Sequence, residues 1–128
     1  MYKNINIFRV SHAMASHAGT RQAVIARNMA NSDTPGYAAR DIQPFQAVFD
    51  SGNSAFAPKA TRAAHLNGSN QTSDYTITRR DGAVSDPNGN TVSVETEMAH
   101  AVSAKRQHDR AVAIYKSALT VLRSAVAR

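Results

Sequence analysis

The chain contains no cysteine and no tryptophan, and aromatic residues make up only 6% of its 128 positions. Without cysteine it has no disulfide framework, no thiolate metal ligand and no cysteine nucleophile. The hydrophobic fraction is 42%, but many of these residues are alanine, so a compact core would be thin. Because small domains bury proportionally little surface, we expect the folded state to depend on neighbouring chains.

Long apolar runs are also missing. No stretch approaches the roughly 20 apolar residues of a membrane-spanning helix. Residues 1–10 lack the uninterrupted apolar segment of a secretory signal peptide. We therefore expect a chain that does not use the general secretory route, while export without a cleaved signal stays open.

Charge is the compositional feature that bears on partners. The net charge is +6 and the isoelectric point is about 10.2, which favours acidic partners such as nucleic acid, anionic lipid or an acidic protein surface. The charge is diffuse, however, with adjacent basic pairs only at Arg79-Arg80 and Lys105-Arg106. No nucleic-acid-binding motif is evident. The positive charge makes a basic nucleic-acid-binding protein with helical dimerisation the alternative function. An ordinary solvated basic surface is the simpler interpretation of the same charge.

The sequence shows no catalytic or metal-binding pattern. His12 and His17 fall on different helix faces, whereas His100 and His108 share one. Neither pair comes with the further ligands that a tetrahedral metal site needs. No nucleophile elbow and no glycine-rich phosphate loop is present. The sequence predicts no enzyme activity, no cofactor and no metal site.

The N-terminal region, residues 1–31, is predicted to be helical from residue 4. Small and apolar residues recur at seven-residue spacing, which is typical of helices that pack against other helices. Pro35 and Gly36 predict that the helix ends near Asn31. The two heptad series are Phe8, Ala15, Gln22 and Met29, and Ser11, Ala18 and Ile25.

The C-terminal region, residues 92–128, predicts a longer helix. Neither proline nor glycine interrupts it, so at ~1.5 Å per residue it would be roughly 50 Å long. A row of apolar residues along a helix of this length is longer than a small core needs. It predicts that the helix packs against other helices, both within the chain and between chains. The two series are Met98, Lys105, Val112, Leu119 and Val126, and Ala101, His108, Tyr115 and Leu122, beside a stripe of Ala104, Ala111, Ala118 and Ala125.

Residues 32–91 are rich in turn formers. Tyr75-Thr76-Ile77-Thr78 alternates like a short strand, and Asp81-Gly82 indicates a turn. The predicted fold is one mainly α structural domain, in which long N- and C-terminal helices pair as a coiled-coil-like hairpin. A loop-rich middle, with room for a short β-hairpin, connects them.

The segment between Asn31 and Tyr37 predicts a sharp chain reversal. Thr34-Pro35-Gly36-Tyr37 suits a type II turn, because proline presets φ at the second position and glycine accepts a positive φ at the third. We expect side chains of Asn31 and Asp33 to satisfy backbone groups at the helix end.

The same segment resembles a signature of flagellar rod and hook proteins, whose N-terminal helix ends in an A-N-x-x-T-P-G-Y motif. Residues 39–42 resemble the version found in the proximal rod. Residues 88–98 resemble the entry into that family's C-terminal helix, with Asn88 replacing the usual aspartate. The short chain favours a proximal rod protein, and the related short rod protein FlgC is the alternative. The turn motif comprises Ala30, Asn31, Asp33, Thr34, Pro35, Gly36 and Tyr37.

This resemblance implies a structural subunit of the proximal rod of the bacterial flagellar basal body. In that family the terminal helices pair and pack against neighbouring subunits, so the chain would assemble helically and transmit torque for motility. A free-standing coiled-coil adaptor is a further alternative. The expected assembly residues are Phe8, Ala15, Ala18, Ile25, Met29, Met98, Ala101, Val112, Tyr115, Leu119, Leu122 and Val126.

The resemblance also implies partners and a location. Family members leave the cytoplasm unfolded through the flagellar type III export gate and form the periplasmic rod. The implied partners are further copies, FlgC-type and other rod subunits, a FliE-type adaptor and the inner-membrane ring. Phe45 and Phe49 resemble a short signal that docks at the export gate. Because they are four residues apart, they would share a helix face, and packing on the long helices is the simpler explanation.

Overall fold

The computed structural model describes residues 2–52 and 75–127, with side chains over 6–49 and 75–127. The loop prediction for residues 53–74 lies outside this range. Long N- and C-terminal helices and a small antiparallel sheet confirm the predicted mainly helical fold. The elements in chain order are α1 (Tyr2–Ala30), β1 (Arg40–Ile42), α2 (Phe45–Gly52), β2 (Ile77–Arg79) and α3 (Val94–Val126).

Helices α1 and α3 pack against each other in antiparallel orientation. Near the start of α1, the ring of Phe8 meets that of Tyr115 edge-on, with centroids 5.2 Å apart. Near the end of α1, Asn28 bonds to Glu97 in the first turn of α3. Residue numbers therefore rise along one helix as they fall along the other, which makes the pair a helical hairpin.

The core between the helices is built mostly from small side chains. Ala18, Ala104 and Ala111 are buried, and alanine allows two helix backbones to approach closely. Within the described residues, half of the buried apolar side chains are therefore alanines. The buried apolar residues of the described segments are Ala18, Val24, Ile25, Ala39, Ile42, Val92, Ala104 and Ala111.

Helix α3 begins at Val94, later than the predicted residue 92. Ser93 caps it, because its hydroxyl accepts a hydrogen bond from the amide of Thr96. Glu95 and Glu97 in the first turn complement the positive end of the helix dipole. No helix within residues 2–52 and 75–127 is long and apolar enough to cross a membrane.

The two short strands connect the hairpin to the turn motif. Strand β2 lies slightly later than the predicted strand at 75–78, and it pairs antiparallel with β1, with Asp41 opposite Thr78. Strand β1 follows the Gly36 turn, and β2 precedes α3. The sheet therefore holds the chain that leaves α1 close to the chain that enters α3.

Candidate functional site

The turn after α1 has the predicted type II geometry. The amide of Tyr37 donates to the carbonyl of Thr34 over 3.2 Å, and Gly36 has a φ of +71°. A Cβ atom added to Gly36 would meet nothing within 4 Å. The backbone conformation, rather than crowding, is therefore what requires glycine here.

The loop that precedes α3 lies directly against this turn. The amide of Gly36 donates to the carbonyl of Asn88 over 3.0 Å, and the amide of Thr91 donates to the carbonyl of Tyr37 over 3.1 Å. Gly89 also has a positive φ, +80°, and a Cβ there would lie 3.4 Å from the Cα of Gly36. The two segments that carry the family resemblance thus form one junction.

Asn90 joins the two sides of this junction. Its side chain is fully buried, and its Nδ2 atom lies within hydrogen-bond distance of the carbonyls of Asn31, Ser32 and Thr34, at 3.0, 2.7 and 2.9 Å. Its Oδ1 atom accepts from the amide of Val92 over 2.7 Å. Asn90 therefore ties the loop before α3 to the carbonyls of the turn that follows α1.

Of the two side chains predicted to bond to the backbone at the end of α1, Asn31 does so and Asp33, among the described residues, does not. Asn31 donates from Nδ2 to the carbonyl of Arg27 over 2.7 Å and accepts from the hydroxyl of Thr34. Asp33 is exposed, and its side chain forms no hydrogen bond within the described segments. The buried side chain that bonds to the turn carbonyls is Asn90, whose amide can donate, whereas the carboxylate of Asp33 could only accept.

Asn28 is the second fully satisfied amide at the junction. Its Nδ2 donates to the carbonyl of Arg40 over 2.7 Å and to Oε2 of Glu97 over 3.0 Å. Its Oδ1 accepts from the amide of Arg40 and the hydroxyl of Tyr37. One buried side chain thus ties the last turn of α1 to the turn motif, β1 and α3.

Charged side chains extend the junction across the small sheet. Glu97 is fully buried, and its Oε1 accepts from Nη1 of Arg80 over 2.6 Å. Nη2 of Arg80 lies 3.8 Å from Oδ2 of Asp41. Arg21 on α1 donates to both carboxylate oxygens of Asp41, each over 3.1 Å. This chain of charges connects α1, β1, the residue that follows β2, and α3.

Asp41 responds electrostatically to its neighbours. Burial alone would raise the pKa of its carboxyl, but hydrogen bonds from Arg21 and from the amide of Ile42, with the charges of Arg21 and Arg80, outweigh burial and lower the pKa below its ordinary value. Asp41 is therefore a stable anion that orients both arginines.

The predicted assembly residues occupy three environments. The buried residues of α3 are Glu97 and two members of the alanine stripe, Ala104 and Ala111. Ala18 and Ile25 are buried. Phe8, Ala15, Ala101, Val112, Leu119 and Leu122 are half-buried, and Met29, Met98, Tyr115 and Val126 are exposed.

Sequence reasoning missed several polar residues of the junction. Asn28, Arg80 and Asn90 carry no heptad signal, and their roles depend on contacts between distant segments. Glu97 had one signal, because it stands seven residues before Ala104 and so begins the same stripe.

The predicted docking residues Phe45 and Phe49 lie on α2. The ring of Phe45 packs edge-on against His17, with centroids 5.6 Å apart, and Phe49 stacks on Phe45 at 5.7 Å. The carbonyl of Gln43 accepts from Nε2 of the buried His17 over 2.7 Å. Helix α2 is therefore held on α1 by an aromatic contact, and both phenylalanines are half-buried.

The polar groups of the junction mainly contact one another and the backbone of neighbouring segments. Its amides and carboxylates bond to one another, and no group of three His, Cys, Asp or Glu residues within the described segments could hold a metal ion. The fold and this junction define the class of protein: an antiparallel hairpin of long helices, tied at one end by buried polar contacts, with apolar side chains exposed on its surface.

Comparison with known proteins gives the particular family. Over 118 residues the chain is 31% identical to the flagellar basal body rod protein FlgB of Agrobacterium fabrum, covering 88% of this chain and 87% of that protein. Over 83 residues it is 36% identical to FlgB of Bacillus subtilis, covering 65% and 64%. No family model matches. The chain belongs to the FlgB family and has a structural role in the flagellar basal body rod.

Proposed function

We propose that this chain is a proximal-rod subunit that assembles helically with further copies and neighbouring rod proteins and transmits torque through its packed helices. The observation that carries the proposal is the apolar surface left exposed on α3. Met98 is 56% exposed and Val126 is 85% exposed. A chain with so thin a core gains most by covering such side chains with neighbours.

The geometry of α3 gives these side chains a common direction. At 3.6 residues per turn, Met98, Val112 and Leu119 lie on one flank of the buried Ala104 and Ala111. An apolar stripe beside the intrachain contact is what a third helix would cover. A head-to-tail contact whose rotation does not close generates a helical stack.

The junction supports the mechanical part of this function. A rod that turns as a unit needs subunits whose helices keep a fixed angle. Asn28, Glu97 and Asn90 are fully buried and hydrogen-bonded, and breaking such contacts leaves polar groups unsatisfied at a cost of roughly 1–3 kcal/mol each. The junction therefore resists bending of the hairpin at its closed end.

The family resemblance supplies the remaining parts of the proposal. The chain leaves the cytoplasm unfolded through the type III export gate, and it becomes part of the periplasmic rod between a FliE-type adaptor and FlgC-type subunits. The nucleic-acid-binding alternative finds no support among the relatives, both of which are named as rod proteins.

Substitution on α3 tests assembly. Met98→Glu places a charge on the proposed interface without disturbing the hairpin, because Met98 is exposed. Thr120→Glu adds the same charge at another exposed position of α3 and serves as the control. In a strain that lacks its own copy, we expect Met98→Glu to lower the amount of chain in purified basal bodies and to reduce swimming. Equal incorporation of both variants would reject this interface.

A further inference from the structure

Three adjoining surface depressions form a groove along the opposite flank of the hairpin, where α3 lies beside α1. Residues of α3 at spacings of three and four line it, and α1 contributes Ile7, Val10 and Met14. From Ala99 to Val121 it is about 33 Å long, which is room for a helix of about six turns. The lining residues of α3 include Ala99, Val102, Arg106, Arg110, Ile114 and Val121.

The groove combines two unpaired arginines with apolar side chains. Arg106 and Arg110 are exposed and stand one helical turn apart. Within residues 2–52 and 75–127, no carboxylate lies within ion-pair distance of either guanidinium group. Apolar residues flank them along the groove, where Val102 is 51% exposed and Val121 is 59% exposed.

A second copy of this chain is poorly suited to fill the groove. Helix α1 contains basic residues but no aspartate or glutamate. In α3, Glu97 is buried against Arg80 and Asp109 pairs with Lys105, which leaves Glu95 as the acidic side chain without an ion pair among the described residues. Neither long helix of a second copy can therefore present two free carboxylates one turn apart.

We propose that this groove binds an amphipathic helix of a different, acidic protein, whose carboxylates pair with Arg106 and Arg110 and whose apolar stripe covers Ile7, Ile114 and Val121. The proposal rests on the rod function and names the chemistry of one neighbour. Copies of the chain associate through the Met98 flank, whereas the groove selects a partner by charge. Complementary charge favours such a partner and disfavours like-charged ones.

A designed peptide tests the groove with the full chain in solution. The probe is a synthetic amphipathic helix of about six turns, with an isoleucine stripe and pairs of glutamates one turn apart. The control peptide carries lysine at the glutamate positions. By fluorescence anisotropy we expect the glutamate peptide to bind at least about tenfold more tightly and to weaken as salt is added. Equal binding of both peptides would overturn the proposal.

Charge-reversed variants locate the binding site. Arg106→Glu with Arg110→Glu should weaken binding of the glutamate peptide about tenfold or more. Lys116→Glu with Arg123→Glu changes the net charge equally on another face of α3 and should leave binding nearly unchanged. Circular dichroism of both double variants verifies that the exposed substitutions preserve the helices. Equal losses in the two variants would mean that net charge, rather than the groove, attracts the peptide.

Crosslinking in assembled basal bodies identifies the protein that occupies the groove. A photoreactive residue replaces Val102, and the mass of the adduct identifies what covers the groove. An adduct with a different protein, lost when Arg106 and Arg110 are reversed, supports the proposal, whereas an adduct between two copies overturns it. If the chain never enters basal bodies, the rod function fails instead, and the peptide experiment still decides whether the groove binds acidic helices.

Discussion

The side-chain amide of Asn28 donates to Oε2 of Glu97 over 3.0 Å, and both residues are fully buried. The bond joins the last turn of α1 to the first turn of α3, between residues 69 positions apart in the sequence. Because each group would be unsatisfied in any other register, this pair sets how the two helices align. Similar polar contacts in other proteins fix helix register at a cost in stability.

Replacement of Asn28 should show how much its hydrogen bonds contribute to the free energy of unfolding. Asn28→Ala leaves backbone groups of Arg40 and one oxygen of Glu97 without their partner, and we expect a loss of about 3 kcal/mol in the free energy of unfolding. Gln22→Ala, at an exposed position of α1, is the control and should change it by less than about 0.5 kcal/mol. Urea unfolding followed by circular dichroism at one fixed protein concentration measures both. Equal stabilities would show that the Asn28 bonds do not hold the junction.

Alanine substitution at Gly19 and at Gly36 should change the free energy of unfolding in opposite directions. Gly36 has a φ of +71°, so Gly36→Ala should cost about 1 kcal/mol. Gly19 lies inside α1 with nothing within 4 Å of an added Cβ, so Gly19→Ala should add about 0.5–1 kcal/mol. The same unfolding measurement compares them. A gain in stability for Gly36→Ala would contradict the turn geometry.

The variant Gly36→Val tests in cells whether the turn is needed for assembly. A β-branched residue is strained further at positive φ, so the chain should leave α1 along a different path and lose its contact with the 88–92 loop. We expect the variant to be synthesised normally but absent from purified basal bodies. Normal motility of a strain that carries only this variant would reject the role of the turn in assembly.

The ion pair between Arg21 and Asp41 predicts a pH dependence. Because the folded-state pKa of Asp41 is lowered, its carboxylate stabilises the fold above the ordinary aspartate pKa of about 3.9. That contribution is lost as pH falls through the lowered value. Asp41→Asn should therefore destabilise by about 1 kcal/mol at neutral pH, and its difference from the unchanged chain should shrink below about pH 4.

A matched variant checks that this effect belongs to the junction. Asp109 pairs with Lys105 on the exposed side of α3, and exposed pairs contribute roughly 0–1 kcal/mol. Asp109→Asn should have a smaller effect at neutral pH. If both aspartate variants follow the same pH curve, the Arg21 contact is not the cause.

The aromatic pair on α2 allows packing and export docking to be separated. Phe45→Ala with Phe49→Ala should lower the secreted fraction relative to the soluble level if the segment docks at the export gate. His17→Ala removes the packing partner of Phe45 but leaves the segment intact, so it should lower stability without lowering secretion. An undiminished secreted fraction for the phenylalanine variant rejects docking, and equal losses for both variants assign the effect to packing.

The sequence predicts the local features of this molecule and misses those that depend on distant contacts. The heptad spacing predicts both long helices, and Pro35-Gly36 predicts the end of α1 and the turn. The spacing predicts two apolar series and an alanine stripe on α3 but does not decide which of them faces α1; in the structure Ala104 and Ala111 of the stripe are buried. Two neighbouring series differ by only part of a turn, and a small drift between 3.5 and 3.6 residues per turn changes which one faces the partner.

The polar contacts of the junction could not be predicted from the heptad spacing of the sequence. Asn90 bonds to carbonyls of residues 31, 32 and 34, and Arg80 reaches Glu97 across the sheet. Each contact exists only after the strands have paired. A side chain that acts through tertiary contact leaves no repeating pattern in its own segment, so these residues become visible only in the folded hairpin.

The most direct test of the central claim is circular dichroism with light scattering on the purified chain across a concentration series. The thin core and exposed apolar flank of α3 predict a marginally stable helical hairpin whose helicity rises further as polymer forms. A stable, fully helical species of one small size at every concentration would contradict folding coupled to rod assembly.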